Sequence, residues 1–231
     1  MWETPVTGRS SKFHLAGINN QNFIMQDEET GSWWQQITGE AIFGSSKGER
    51  LKPVLHDELS FSLWKKEHPD GRVLVPDDSK PWKQFSENWE EHTAGLPVLA
   101  ALNPDTSLSA RTQIVGIKVG AVAKAYPLAT IQEQSPILDY IGDTPVIIVV
   151  AEDKKSVRAF ERRIEGQELE FFAKSDSQTL RLVDAQTGSE WDFTGKALTG
   201  PHAGRKLMQI YLLNDYWFDW KAYNPGTEVY R

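Results

Sequence analysis

The spacing of apolar and polar positions changes several times along the 231-residue chain. Two short apolar-rich runs, Lys12 to Leu15 and Phe23 to Gln26, predict strands separated by a turn at Gly17-Ile18-Asn19-Asn20. Glu28-Glu29-Thr30-Gly31 predicts a second turn leading into a strand at Trp33-Trp34. Ile37 to Ile42 and Leu51 to Leu55 predict two more strands around the Gly44 to Gly48 loop. The period then lengthens. Leu59, Phe61, Leu63 and Trp64 fit the inward face of a helix, with Asp57 as its cap and Pro69-Asp70-Gly71 as its stop. Arg72 to Val75 predicts a closing strand.

Pro76 to Pro81 has linker composition. Trp82, Phe85 and Trp89 recur on one helical face, which predicts a segment docked by its aromatics; the alternative is an exposed aromatic platform. Ile114 to Val119 and Ala121 to Tyr126 predict a hairpin around Gly120, followed by a short helix and loop over Thr130 to Tyr140. Thr144 to Val150, TPVIIVV, is apolar almost throughout and predicts a central strand buried on both faces. Val157 to Arg163, Leu169 to Ala173 and Leu180 to Val183 continue the sheet. A last helix, capped by Asn214 or Asp215, buries Tyr216, Trp217, Trp220 and Tyr223 and ends at Asn224-Pro225-Gly226.

Much of this pattern occurs twice. Thr30-Gly31-Ser32, Trp34 and Thr38-Gly39 correspond to Thr187-Gly188-Ser189, Trp191 and Thr194-Gly195. Phe61 to Leu74 corresponds to Trp217 to Tyr230, and Trp2-Glu3 to Phe160-Glu161. A correspondence this long predicts a duplicated structural unit. The expected fold is mainly β with short helices (β-rich α+β), with two related repeat units packed into one composite globule. Residues 1–76 form the first unit, 77–111 a linker with a short helix, and 112–231 the second unit. The first unit is N-terminally incomplete, because nothing in it matches the hairpin and the TPVIIVV strand of the second. A partner chain, a second copy or a removed N-terminal segment would complete it.

Composition narrows the chemistry. Net charge is −7 and the pI about 5.3, which disfavours a phosphate-facing surface, so no nucleic-acid partner is expected. The absence of cysteine removes disulfides, thiolate metal sites and a cysteine nucleophile. The five histidines lack ligand spacing. No metal, cofactor or membrane span is therefore expected, and the first residues lack the apolar core of a signal peptide. Gly44-Ser45-Ser46-Lys47-Gly48 matches G-x-S-x-G in form, but a nucleophile elbow needs a strand before it and a helix after it. The corresponding Gly200-Pro201-His202-Ala203-Gly204 keeps the glycines and drops the serine, so Ser46 is read as a turn residue.

Differences between the two copies point to candidate site residues. The amides Asn20, Asn22 and Gln36, with Trp34 as a stacking face, His14 nearby and Glu40, form the candidate ligand-binding cluster. Amides suit a neutral polar ligand. The competing explanation for Asn20 and Asn22 is a turn satisfied by Asx hydrogen bonds.

Asn20-Gln21-Asn22, Met25, Asp27, Thr30 to Gln36, Gly39-Glu40-Ala41, the Trp64 to Asp70 helix end and Ala123 to Leu128 together resemble the DUF3179 family, a bacterial and archaeal domain of unknown function. The resemblance covers nearly the whole chain. It implies an upstream C-P-x-C-type segment, which this cysteine-free chain does not carry; the corresponding stretch of the second unit is Ala151 to Ser156. It also implies an extracytoplasmic origin. Two functions compete. One is a soluble, non-catalytic binding or scaffold protein for a polar ligand, such as a carbohydrate, or for a partner chain. The other is a hydrolase-type enzyme using His14, Asn20, Asn22 and Gln36, with Glu40 or Asp27 as acid or base.

Overall fold

A computed structural model describes residues 1–6, 9–19, 22–75, 87–98, 105–174 and 179–231. The fold is β-rich with short helices. In chain order the first elements are β1 (Pro5–Val6), β2 (Arg9–Ser10), β3 (Phe13–Asn19), β4 (Asn22–Asp27), β5 (Trp33–Gln35), β6 (Ala41–Phe43), α1 (Phe61–Glu67) and α2 (Trp89–Gly95). Then come β7 (Gln113–Val119), β8 (Val122–Pro127), α3 (Leu128–Gln134), β9 (Ile137–Ile141), β10 (Thr144–Val150) and β11 (Val157–Glu161). The remainder is β12 (Arg163–Ile164), β13 (Gln167–Glu168), β14 (Phe171–Ala173), β15 (Arg181–Asp184), β16 (Glu190–Asp192), β17 (Met208–Ile210), β18 (Leu212–Tyr216), α4 (Trp217–Tyr223) and β19 (Glu228–Val229).

The TPVIIVV run explains the centre of the molecule. It is β10, an inner strand of a sheet ordered β17-β11-β10-β9. Strand side chains alternate between faces. Val146, Ile148 and Val150 accordingly join one core cluster with Val115, Ile117 and Tyr126 from the sheet β18-β7-β8-β19. Ile147 and Val149 join a second cluster with Phe160, Phe171, Leu182 and Trp191, where the sheet β14-β15-β16 packs. Leu59, just before the cap of α1, and Leu63, within it, pack on this second cluster. α4 lies on the far face of β7 and β8 through Trp217 and Trp220.

Near the chain start a further sheet, β3-β4-β5-β6, holds a small core of Trp34, Ala41 and Leu51 with Trp2, Phe13 and Met25 against it. Its contacts parallel those around β14 to β16. Trp34 Nε1 donates to Asp27 at 2.7 Å, and Trp191 Nε1 donates to Asp184 at 2.9 Å. Phe13 meets Trp34 edge-on at 6.2 Å, and Phe171 meets Trp191 edge-on at 5.7 Å. Gly39 and Gly195 have φ of +68° and +76°, and a Cβ there would lie 2.7 Å from the Trp2 ring and 2.6 Å from the Phe160 ring, respectively. Only glycine fits where a left-handed backbone passes so close to an aromatic ring. The Ser46 and His202 amides both donate at 3.1 Å, to the hydroxyls of Ser32 and Ser189.

Several local expectations are corrected. Ser60, not Asp57, caps α1, accepting from the Leu63 amide at 3.3 Å. Asp57 is drawn away by Arg158. Neither Asn214 nor Asp215 caps α4; the chain is still in β18 at both, and Tyr216 holds the cap position. Residues 72–75 form no strand, and Leu74 is 95% exposed. Apolar β-formers need a neighbouring strand to pair with, and among the described residues none pairs with them. Of Ile37 to Ile42 only the end is extended, because residues 36–38 turn. Trp89 opens α2 and is 59% exposed, and α2 has no buried residue. Trp82 and Phe85 lie outside the described residues.

Candidate functional site

The six residues singled out in the sequence are spread over different environments. Asn22, from β4, and Gln36, from the turn after β5, line the same cavity. Trp34 is buried in the core and spends its N–H on Asp27. His14 lies on the exposed surface of β3, its Nε2 3.1 Å from Gln26 Oε1. Glu40 is engaged by Arg50 at 2.7 Å. Asn20 lies outside the described residues. Asp27, the other acid considered, is held by Trp34 and Thr30. Burial alone would raise its pKa, but those hydrogen bonds bring it below the ordinary aspartate range.

The cavity has a volume of about 530 Å3 and lies between the β3-to-β6 sheet and the strand β18 with helix α4. One wall is apolar and aromatic, formed by Trp2, Phe13, Met25 and Leu51. The opposite wall is polar, with His56, Glu58, Tyr211, Asn214, Asp215 and Asp219. No lysine or arginine is among the lining residues, although Glu3 at the rim pairs with Lys52 at 2.8 Å. Asn214 Nδ2 donates to Glu58 at 2.8 Å, and the His56 ring lies 5.4 Å from Tyr211.

Two carboxyls at the β18–α4 junction form the chemical centre of this wall. Asp215 Oδ1 accepts from the Tyr216 amide at 2.7 Å, while its Oδ2 is buried and meets no donor. Asp219 is only 8% exposed and accepts from Asn22 Nδ2 at 2.5 Å. Burial raises the pKa of both. The nearby charge of Asp219 adds to the effect on Asp215, which is pushed up to about 8. Two facing carboxylates have only acceptors, so the contact becomes favourable when one carries a proton and donates it to the other. Near neutral pH burial and the neighbouring Asp219 charge favour the protonated form of Asp215. Tyr223 lies beside it, its hydroxyl pKa raised by burial and then by Asp219.

A contrasting acidic site adjoins the cavity at Asp57, which lies between the lining residues His56 and Glu58. Asp57 and Glu67 there receive the buried guanidinium of Arg158, with closest contacts of 2.7 and 2.8 Å. That guanidinium also stacks on Phe193 at 4.6 Å. Among the described residues Asp215 and Asp219 have no such cation.

The candidate search in the sequence passed over Asp215 and Asp219, although a signal was present. Extending the correspondence of residues 61–74 with 217–230 by two positions sets Asp215 opposite Leu59 and Asp219 opposite Leu63. Leu59 and Leu63 pack on the Ile147–Val149 core. A pair of acids aligned with leucines is a departure visible in that sequence comparison. Comparing only what residues 1–76 have and residues 112–231 lack hides it.

Among the described residues no group of three or more His, Asp or Glu side chains is arranged to hold a metal ion. No helix among them is long and apolar enough to cross a membrane. No curated protein and no solved structure matches the chain. A family model, described as a protein of unknown function, matches residues 1–227; the chain belongs to the DUF3179 family.

Proposed function

We propose that this chain is a binding protein whose ligand enters the cavity between Trp2 and Asp219 with a protonated amine or similar donor group against Asp215 and Asp219. The observation that carries this is an acid pair, with Asp215 Oδ2 buried and without a donor, on the polar wall of a cavity whose opposite wall is aromatic and apolar. A buried carboxylate is costly until it meets a donor, so a ligand that supplies one gains what water is excluded from supplying. A volume of about 530 Å3 suits a small ligand or a short segment of a larger one. Asn22 holds Asp219 in place, and Trp2, Phe13 and Met25 offer surface to an apolar body.

Benzylamine, benzyl alcohol and benzoate are suitable probes, titrated calorimetrically into the 231-residue chain and its Asp219→Asn variant. The amine should bind at least about tenfold tighter than the alcohol, as expected for a charge-assisted hydrogen bond, and the variant should lose that margin. Equal binding of all three probes, or of both proteins, would remove the basis for an amine site.

A second function, acid–base catalysis, is favoured by the raised pKa of Asp215, which burial and the adjacent Asp219 push up. A carboxyl with its pKa pushed up to about 8 is protonated at neutral pH and available to a leaving group. Recovery of ligand unchanged after prolonged incubation separates binding from turnover.

A further inference from the structure

We propose that a second groove, running from Asp215 to Arg111 beside helix α2, binds a short peptide with free termini, its N-terminal ammonium on Asp215 and its C-terminal carboxylate on Arg111. This shares Asp215 with the binding function proposed above and otherwise uses different residues.

The groove follows from where three elements meet. The β7–β18 ladder finishes with Asp215 opposite Ile114 and Tyr216 opposite Gln113. Helix α3 begins at Leu128, directly after β8, and α2 contributes Glu90 and Ala94. Between these elements lie two cavities of about 450 and 360 Å3. Both are lined by Gln113, Leu128, Gln132 and Tyr216, so they form one groove. Asp215 lines the first and Arg111 the second, which sets the acid and the guanidinium at opposite ends. The walls come from residues 90–216 throughout.

The charges are arranged for a zwitterion. The other two charged groups in the walls, Glu90 and Lys155, are exposed and pair with each other at 3.4 Å. At one end Asp215 keeps a buried Oδ2 that meets no donor among the described residues. At the other, the Arg111 guanidinium is fixed in orientation. It lies 5.1 Å from both the Tyr216 and the Phe218 rings, whose planes differ by only 16°. The Trp217 and Phe218 amides donate at 2.9 Å to the Thr112 and Ala110 carbonyls, which holds the turn that carries Arg111. Arg111 also donates to the Pro97 carbonyl at 3.3 Å. A guanidinium has five N–H donors in a planar fork, a shape that suits a carboxylate. Between the two ends stand Leu128, the Tyr216 ring and the amides of Gln113 and Gln132. Gln132 donates to the Lys154 carbonyl at 2.7 Å, which fixes its amide. A side-chain amide carries the same donor and acceptor as a peptide group, so these two match a peptide backbone. A single amino acid bears its charges too close together to reach both ends.

The probe is the tripeptide Ala-Leu-Ala, titrated calorimetrically into the full chain, with its N-acetylated and C-amidated forms and benzylamine as comparators. The free tripeptide should bind at least about tenfold tighter than either capped form, as expected for the loss of one charge-assisted hydrogen bond. Arg111→Gln should abolish the effect of C-amidation, keep that of N-acetylation, and leave benzylamine binding unchanged. Arg111→Lys keeps the charge without the fork, provides a second variant should the first unfold, and should retain only part of the amidation effect. Absence of tripeptide binding, or equal binding of the free and capped forms, would overturn the peptide groove. So would an amidation effect that survives in Arg111→Gln or is undiminished in Arg111→Lys. Benzylamine binding that persists in any of these cases leaves the amine site standing; no binding by benzylamine or tripeptide overturns both.

Discussion

Asp215→Asn isolates the electrostatics of the cavity. In the folded chain the Asp215 carboxyl is pushed from 3.8 up to about 8, by burial first and by Asp219 second. A carboxyl whose folded pKa lies above its unfolded value keeps a proton that the unfolded chain has lost. Stability therefore falls as pH rises between those values, at about 1.4 kcal/mol per pH unit for one group. Across the window from 3.8 to about 8, that slope sets an upper bound on the order of 6 kcal/mol. Part of it is repulsion shared with Asp219, so the net effect expected is about 2–4 kcal/mol. Asparagine keeps the oxygen that accepts from Tyr216 and supplies an N–H toward Asp219, as the protonated acid does. The variant should match the wild type near pH 4 and exceed it by about 2–4 kcal/mol at pH 9. Urea unfolding of both proteins in steps from pH 4 to 9.5 measures this. Asp27, Asp57 and Asp184 have depressed pKa values, so their contributions are present above the ordinary carboxylate range and are lost as pH falls through the folded values. They act alike in both proteins and cancel in the difference. Parallel stability curves across the whole range would refute this account.

Other perturbations test the scaffold that holds the cavity. Arg158→Met strands Asp57 and Glu67 in a partly buried site and should cost about 3–5 kcal/mol by chemical denaturation, with Arg158→Lys recovering only part because an ammonium cannot fork to both acids. Gly39→Ala meets both a left-handed backbone and the Trp2 ring, and should destabilise by more than about 2 kcal/mol, whereas Gly48→Ala, with φ +91° but open space around it, should cost only about 1 kcal/mol in thermal unfolding. Trp34→Phe leaves Asp27 without the indole N–H and should lower stability by about 1–3 kcal/mol, with Trp191→Phe behaving similarly through Asp184. Ser46→Ala should stay within about 1 kcal/mol of wild type, because the contact to Ser32 is made by the Ser46 backbone amide.

The elements that could be read directly from the sequence are those whose burial is decided by local pattern. TPVIIVV has apolar side chains on both faces and becomes the inner strand β10. Asn224-Pro225-Gly226 and His68-Pro69-Asp70 stop helices because proline cannot continue them. The misplaced features depend on partners remote in sequence. Asp57 is a suitable cap by composition, but Arg158, 101 residues away, offers it two charge-assisted bonds, and Ser60 takes the cap instead. Arg72 to Val75 has strand composition, but among the described residues no strand pairs with it.

The same division runs through the site. Amides in the sequence drew attention to Asn22 and Gln36, which line the cavity, and equally to His14 and Glu40, which do not, because composition cannot say which way a strand faces or which charge is already paired. By itself the sequence determined a β-rich fold, its glycine turns, its tryptophan positions and its family membership, since these follow from periodicity, conformational allowance and the order of motifs. Tertiary structure alone decided that β18 and α4 lie against the first sheet. That contact converts Asp215 and Asp219 from surface acids into a buried pair that a proton, or a cation, must satisfy.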